Sequence, residues 1–241
     1  MTMSTTLMNN GAKRHGDDCP PIADQKAELK RLWELFQPEN IQLFELRAID
    51  PSPAMRPRIE HFRATKYDCL ASLQGAFENR ALELNQAGYN IYSTLNPVKP
   101  DFCSAAAKDA DILRRRLLLI DIDRVGNTKQ PATDDEVTGA LILAEAIAAF
   151  LAQNEWPDPI LMMGGNGVHL YYGLSDLPNS DQSTAVIKGV LQTLGKKFDN
   201  DEFAIDKSVF NASRITKLPG TVARKGTATE DRPYRMARLL P

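Results

Sequence analysis

LLLIDID, running from Leu117 to Asp123, is the stretch on which the fold turns. Four apolar residues in an unbroken row suggest a strand buried on both faces. Residues two apart in a strand share a face, so Asp121 and Asp123 project together while Ile122 turns into the core. Neighbouring buried carboxylates repel and are costly to ionise unless a cation neutralises them. Mg²⁺, which takes a few carboxylate oxygens and completes its shell with substrate phosphates, suits a pair of Asp without Cys or His beside it. By itself Asp-x-Asp fits a strand end with solvated aspartates equally well.

Upstream of this strand, residues 1–22 are polar, end in Pro20-Pro21, and read as a flexible leader. Apolar spacing predicts a helix over 23–36 closed by Pro38, a strand over 41–49, a Pro-rich turn from Pro51, and a helix over 67–87 stopped by Gly88. A strand over 89–95 ends at Asn96-Pro97, and residues 99–112 read as a mobile loop or frayed helix before Arg114-Arg115-Arg116. Downstream, Thr133 and Glu136 form a capping box opening a helix to about Gln153. Strands over 160–163 and 168–174 flank a glycine turn, a helix runs over 181–198 with Val186, Ile187, Val190, Leu191 and Leu194 on one face, and a short strand covers 202–206. No strict βαβ rhythm appears, so the expected class is α+β around a mixed sheet.

Composition sets bounds. The 241 residues are 43% hydrophobic and 25% charged, which excludes disorder and fibres. Lys and Arg total 29 against 31 Asp and Glu, so any nucleic-acid surface must be local. Three cysteines and three histidines, widely spaced, make neither a zinc ribbon nor a disulfide framework, and no zinc is expected. The polar N-terminus and the lack of an apolar run of roughly 20 residues argue against a secretory signal and a membrane span, so the expected location is a reducing cytoplasm.

Two further signals follow. MMGGNGVHLYY (162–172) places three glycines around Asn166 and brings His169 to the start of the returning strand. Gly165 and its neighbours allow the backbone to come close to a phosphate, and an imidazole there can donate to one. No Gly-Lys-Ser/Thr follows, so this is not a Walker loop, and a plain Gly-rich hairpin fits the residues too. In AIDKSVFNASRITKLPGTVARKG (204–226), Asp206 ends a short strand, and Arg214, Lys217, Arg224 and Lys225 form a basic series suited to a triphosphate or a nucleic-acid backbone. A solvated basic loop is the simpler meaning of the series. Weak singly, these signals together supply metal ligands, phosphate contacts and charge compensation, the requirements of nucleotidyl transfer.

On these motifs the sequence resembles the archaeo-eukaryotic primase superfamily, in particular primase-polymerase domains of phages, plasmids and mobile elements. Asp121 and Asp123 match its acid-x-acid strand, GGNGVH with His169 its Gly-x-His motif, and Ile205-Asp206 its hydrophobic-acid motif. VFNASRITKLPGT looks like the segment whose Arg, here Arg214, meets the incoming nucleotide. The chain departs from the pattern at Gly165-Asn166-Gly167, where many members place a Ser before the His. The resemblance implies a catalytic sheet related to RNA-recognition folds, in a domain over 23–241 with an N-terminal α/β part to about 112 and a motif-bearing part from about 113. It implies two Mg²⁺ or Mn²⁺ ions on Asp121, Asp123 and Asp206, and an NTP or dNTP held by His169, Arg214, Lys217, Gly165 and Asn166. It also implies a single-stranded DNA template and a helicase fused or in trans. Arg47 and Asn96 are expected to line the same cleft or to make a salt bridge and an Asn-Pro turn, and Arg114 to Arg116 to meet template backbone or solvent. Two other readings remain open: a non-catalytic single-strand-binding initiation module, and another two-metal phosphoryl-transfer enzyme.

Overall fold

The computed structural model describes residues 20–36, 41–52, 56–126 and 128–241. Most of the expected leader, the helix-closing Pro38 and the centre of the Pro-rich turn lie outside the described residues. In chain order the elements are α1 (Ile22–Lys30), α2 (Leu32–Phe36), β1 (Leu43–Ile49), β2 (Arg58–Arg63), α3 (Leu70–Gln86), β3 (Asn90–Thr94) and β4 (Arg114–Arg124). Then follow α4 (Asp134–Gln153), β5 (Ile160–Met163), β6 (Val168–Pro178), α5 (Asp181–Phe198), β7 (Phe203–Ile205), β8 (Ile215–Lys217), β9 (Val222–Ala223), β10 (Arg235–Met236) and β11 (Arg238–Leu239).

The class is α+β. Its strands ladder antiparallel in every described pair, as two main sheets and a small ribbon. The larger sheet runs β11-β5-β6-β4-β7, the second β2-β1-β3-β8, and β9 pairs with β10. Within the larger sheet, β4-α4-β5-β6-α5-β7 is a βαββαβ unit in spatial order β5-β6-β4-β7, the topology of RNA-recognition folds. Helices α4 and α5 pack against this sheet and α3 against the other.

Local chemistry explains the helix starts. Thr133 Oγ1 accepts the Glu136 N–H at 3.1 Å while the Glu136 carboxylate accepts the Thr133 N–H at 2.8 Å, the reciprocal bonds of the capping box. Ser180 caps α5 in the same sense by accepting the Ser183 N–H. Ile187, Leu191 and Leu194 of α5 are buried, each contributing about 1.5 to 3 kcal/mol, whereas Val186, expected on that face, is exposed.

The structure corrects several expectations. The first helix is broken at Arg31 into α1 and α2. Residues 99–112 form a loop with a single 3-10 turn at Asp109–Asp111, anchored where Phe102, Ala107 and Ile112 are buried with Leu43 and Val98, and Val98 bridges Ile112. β4 begins at Arg114, because Arg115 is buried and the ladder to β6 already includes Arg114 and Pro178. β2 escaped the sequence reading because it is an edge strand burying only Phe62, which leaves little alternation. Chain order also misleads about β8: it lies late in the sequence but pairs with β3, carrying the basic segment to the N-terminal sheet. Tyr171 on β6 and Thr216 on β8 join hydroxyls at 2.5 Å, so the two sheets meet directly. Among the described residues, no helix is long and apolar enough to cross a membrane.

Candidate active site

Asp121 and Asp123 emerge from the same face of β4 into a cleft of about 900 Å³ between the sheets. The β4–β6 ladder sets Asp121 opposite His169, with His169 Nε2 at 3.3 Å from Asp121 Oδ1. His169 Nδ1 lies 2.9 Å from the Tyr171 hydroxyl, which fixes the ring from its other side. Burial pushes the Asp121 carboxyl up, but the His169 charge and hydrogen bond, with Arg214 and Lys225, outweigh it and hold the group below its ordinary value. Burial likewise disfavours a charged His169, yet the Asp121 charge and hydrogen bond raise its pKa. Asp123 goes the other way: burial and then Asp121 raise it, more than Lys225 and His169 offset. Among the described residues no ion pair or hydrogen bond reaches its carboxylate.

The glycine hairpin shapes this corner. A Cβ on Gly167 would meet the Ile122 carbonyl oxygen at 2.4 Å and Asp123 Oδ1 at 2.9 Å, so only glycine lets the hairpin close on β4. Gly165 has φ +97°, and an added Cβ would meet Ala223 at 2.5 Å. Gly165 therefore shapes the turn without lining the cleft. Asn166 does line it, while its Oδ1 accepts the Ala132 N–H at 2.9 Å and anchors the approach to α4.

The opposite wall is basic. Lys217 on β8 is buried, donates to Asn90 Oδ1 at 2.8 Å, and sits 5.0 Å from the Tyr92 ring centre. Burial, and then Arg224, push its pKa down to about 7. Arg214 lines the cleft and is braced by Asn211 Oδ1 at 3.0 Å and the Ser208 carbonyl at 2.8 Å. Tyr92 shares the wall, its hydroxyl pushed up to about 12 by burial and by Asp121 and Asp123.

Asp206 is tied to the site through its backbone, whose N–H donates to the Asp121 carbonyl at 2.8 Å. Its carboxylate accepts the Ser208 N–H at 2.8 Å and does not line the cleft. Among the described residues, no three His, Cys, Asp or Glu side chains gather into a ready-made metal cage. The donor set that does face the cleft, two adjacent carboxylates of which one lacks any partner, fits a hard divalent ion that takes part of its shell from phosphates.

Arg47 and Asn96 take the structural alternative to the cleft, and Arg115 lies elsewhere too. Arg47 pairs with Glu45 at 2.6 Å and donates to the Ala107 carbonyl, within the N-terminal sheet. Asn96 is buried, bridging the Arg116 N–H to the Ala212 carbonyl and lining a separate cavity of about 600 Å³. Arg115 is buried against the Phe210 carbonyl and Thr184 and does not face solvent. Conversely, Asn90, Tyr92 and Lys225 line the cleft without having been singled out as its site residues. Lys225 stood in the basic series, but Asn90 and Tyr92 carry no local signal.

No protein-family model matches this sequence, and no curated protein is significantly similar to it. Among solved structures it is similar to the crystal structure of primase RepB′, with 12% identity and a TM-score of 0.50 over 90% of this chain and 56% of that one. The chain thus spans just over half the length of that structure. It also matches the catalytic domain of primase RepB′ in complex with initiator DNA at 12% identity, a TM-score of 0.49, and 90% and 84% coverage. The polymerase domain of Mycobacterium tuberculosis Ligase D in complex with DNA matches at 16%, 0.49, and 89% and 80%. At such identity the likeness is one of fold alone: the chain shares its fold with primase RepB′.

Proposed function

We propose that the chain is a DNA-dependent primase-polymerase, transferring nucleotidyl groups from an NTP or dNTP to make or extend a primer on single-stranded DNA during replication of a phage or mobile element. The observation that carries the proposal is the cleft itself, with an under-neutralised Asp121–Asp123 pair on one wall and Arg214, Lys217 and Lys225 on the other. Such opposed charges suit a substrate with an anionic phosphate tail and a divalent counter-ion.

Asp121 and Asp123 would hold Mg²⁺ or Mn²⁺, which would supply charge neutralisation at the phosphate and a more acidic attacking hydroxyl, and Asp206 would join them by turning its carboxylate from the Ser208 N–H into the cleft. His169 keeps Asp121 oriented through Nε2 while Tyr171 holds Nδ1, and the positive charge that Asp121 favours on the ring would draw the triphosphate to this wall. Arg214 and Lys217 neutralise the triphosphate, and Asn166 and the glycine hairpin shape the corner beside Asp123. The free, exposed thiols of Cys69 and Cys103 suit a reducing cytoplasm, and a helicase, fused or in trans, would supply the unwound template.

The test is incubation with single-stranded template, mixed NTPs and dNTPs, and Mg²⁺ or Mn²⁺. Template-dependent products lost in Asp121→Ala with Asp123→Ala, with DNA binding retained, are expected. Shortened DNA or cyclic nucleotide would point instead to another phosphoryl-transfer enzyme, and function surviving the double substitution to a binding module.

A further inference from the structure

Beyond β8 the chain passes the cleft as a strap, residues 222–226, that two asparagine side chains hold as a strand partner would. Asn85 Oδ1 accepts the Val222 N–H at 2.8 Å, and its Nδ2 donates to the Val222 carbonyl at 3.0 Å. Asn90 repeats the pattern two residues on, accepting the Arg224 N–H at 2.8 Å and donating to the Arg224 carbonyl at 2.6 Å. Each amide side chain supplies one donor and one acceptor to alternate residues, the bonds of an antiparallel ladder without a third backbone. Arg224 Nη1 closes the arrangement on the Asn85 carbonyl at 2.9 Å. From its other sides the strap is held by the β9–β10 pairing and by Gly165, against which Ala223 packs.

A strap pinned so tightly delivers its next residue, Lys225, to a fixed place on the cleft wall. Among the described residues Lys225 has no ion pair or hydrogen bond. Its charge acts on both Asp121 and Asp123 across the cleft. The Asn90 amide oxygen that binds the strap also accepts from Lys217 Nζ at 2.8 Å, so one atom sets the spacing of two elements bearing cations. Bringing Arg224, Lys225 and Lys217 together costs repulsion that a polyanion would relieve.

We propose that Lys225 binds the phosphate tail of the nucleotide and that Asn90 is the positioning residue that registers Lys225 with Lys217 on that tail. The inference rests on the primase-polymerase reading and adds two residues to it. It is tested with the full chain, Mg²⁺, a non-hydrolysable dATP analogue and, separately, dAMP. Lys225→Ala weakens the analogue about tenfold or more and dAMP by less than about twofold, since the lost contact is a charge-assisted bond to the outer phosphates. Asn90→Ala weakens the analogue comparably, and in the Lys225→Ala background its added loss is clearly smaller than in the wild-type chain, because only its hold on Lys217 then remains to be lost. Asn90→Gln keeps the amide's donor and acceptor on a longer arm without adding charge, and guards against misfolding of the alanine variant: its loss of analogue binding must also shrink in the Lys225→Ala background. Unchanged analogue binding by Lys225→Ala, or losses that multiply in the double variants, would overturn the inference. A wild-type chain that binds no analogue would overturn the primase-polymerase reading itself.

Discussion

Two buried clusters in this molecule each set a carboxylate beside a histidine, and they differ in whether the charge is satisfied. In the N-terminal sheet Glu45 is fully buried. Its Oε1 takes Arg47 Nε at 2.6 Å, while Oε2 takes the Ala107 N–H at 2.8 Å and lies 3.0 Å from His61 Nε2. Every oxygen has a partner and nothing is left to offer a ligand. At the other cluster Asp121 has His169 at 3.3 Å, and Asp123 is raised by burial and by Asp121. Burial of an acid beside a histidine therefore does not mark a functional site. What the Asp121–Asp123 cluster adds, and what the proposed function rests on, is incomplete neutralisation inside an open cleft.

Substitutions should separate the two clusters sharply. The largest effect is expected from Asp121→Ala with Asp123→Ala: template-dependent synthesis falls by roughly a thousandfold or more, as for removal of a metal-binding centre, while the melting temperature holds or rises because a repulsive pair is gone. Glu45→Ala should do the reverse. Leaving Arg47 without its buried partner costs about 3 kcal/mol in denaturant unfolding, and synthesis per folded molecule stays at the wild-type level. Gly167→Ala comes next, losing about 2 kcal/mol because its Cβ meets backbone that cannot yield. Gly164→Ala, whose Cβ would come no nearer than 3.0 Å to the His169 ring and 3.6 Å to the Gly167 carbonyl oxygen, should cost less.

The smallest effect is a pH dependence. Lys217 titrates near 7 when folded, well below a free lysine, so the folded state binds its proton more weakly than the unfolded chain does. Its burial cost is complete below about pH 7 and fades as pH rises toward the unfolded value of about 10.4. Lys217→Met should accordingly stabilise the protein by roughly 1 kcal/mol at pH 6, with the gain shrinking toward pH 10 in urea melts. A gain independent of pH would mean that Lys217 keeps an ordinary lysine pKa in the folded protein.

Much of this contrast was legible in the sequence where chemistry is local. Strand periodicity placed Asp121 and Asp123 on one face, the Thr133–Glu136 spacing gave the start of α4, and the order of motifs pointed to His169 and the 204–226 segment. What could not be read was pairing at long range. Asn90 and Arg224 are 134 residues apart, so the strap they form has no signature in either stretch. Arg47 and Asn96 sit on or next to strands of the sheet that helps form the cleft, and only the side-chain partners chosen in three dimensions show them to be structural. Very short strands such as β8 and β9, with three and two residues, carry no period to detect.

The central claim, that the open cluster is a metal-dependent nucleotide site and the closed one a structural lock, is met most directly by Mn²⁺ binding measured by electron paramagnetic resonance with and without a non-hydrolysable dATP analogue. The account predicts that the wild-type chain binds Mn²⁺ more tightly with the analogue, that Asp121→Asn with Asp123→Asn abolishes this, and that Glu45→Gln leaves it intact. Nucleotide-linked Mn²⁺ binding that survives the aspartate substitutions would contradict it.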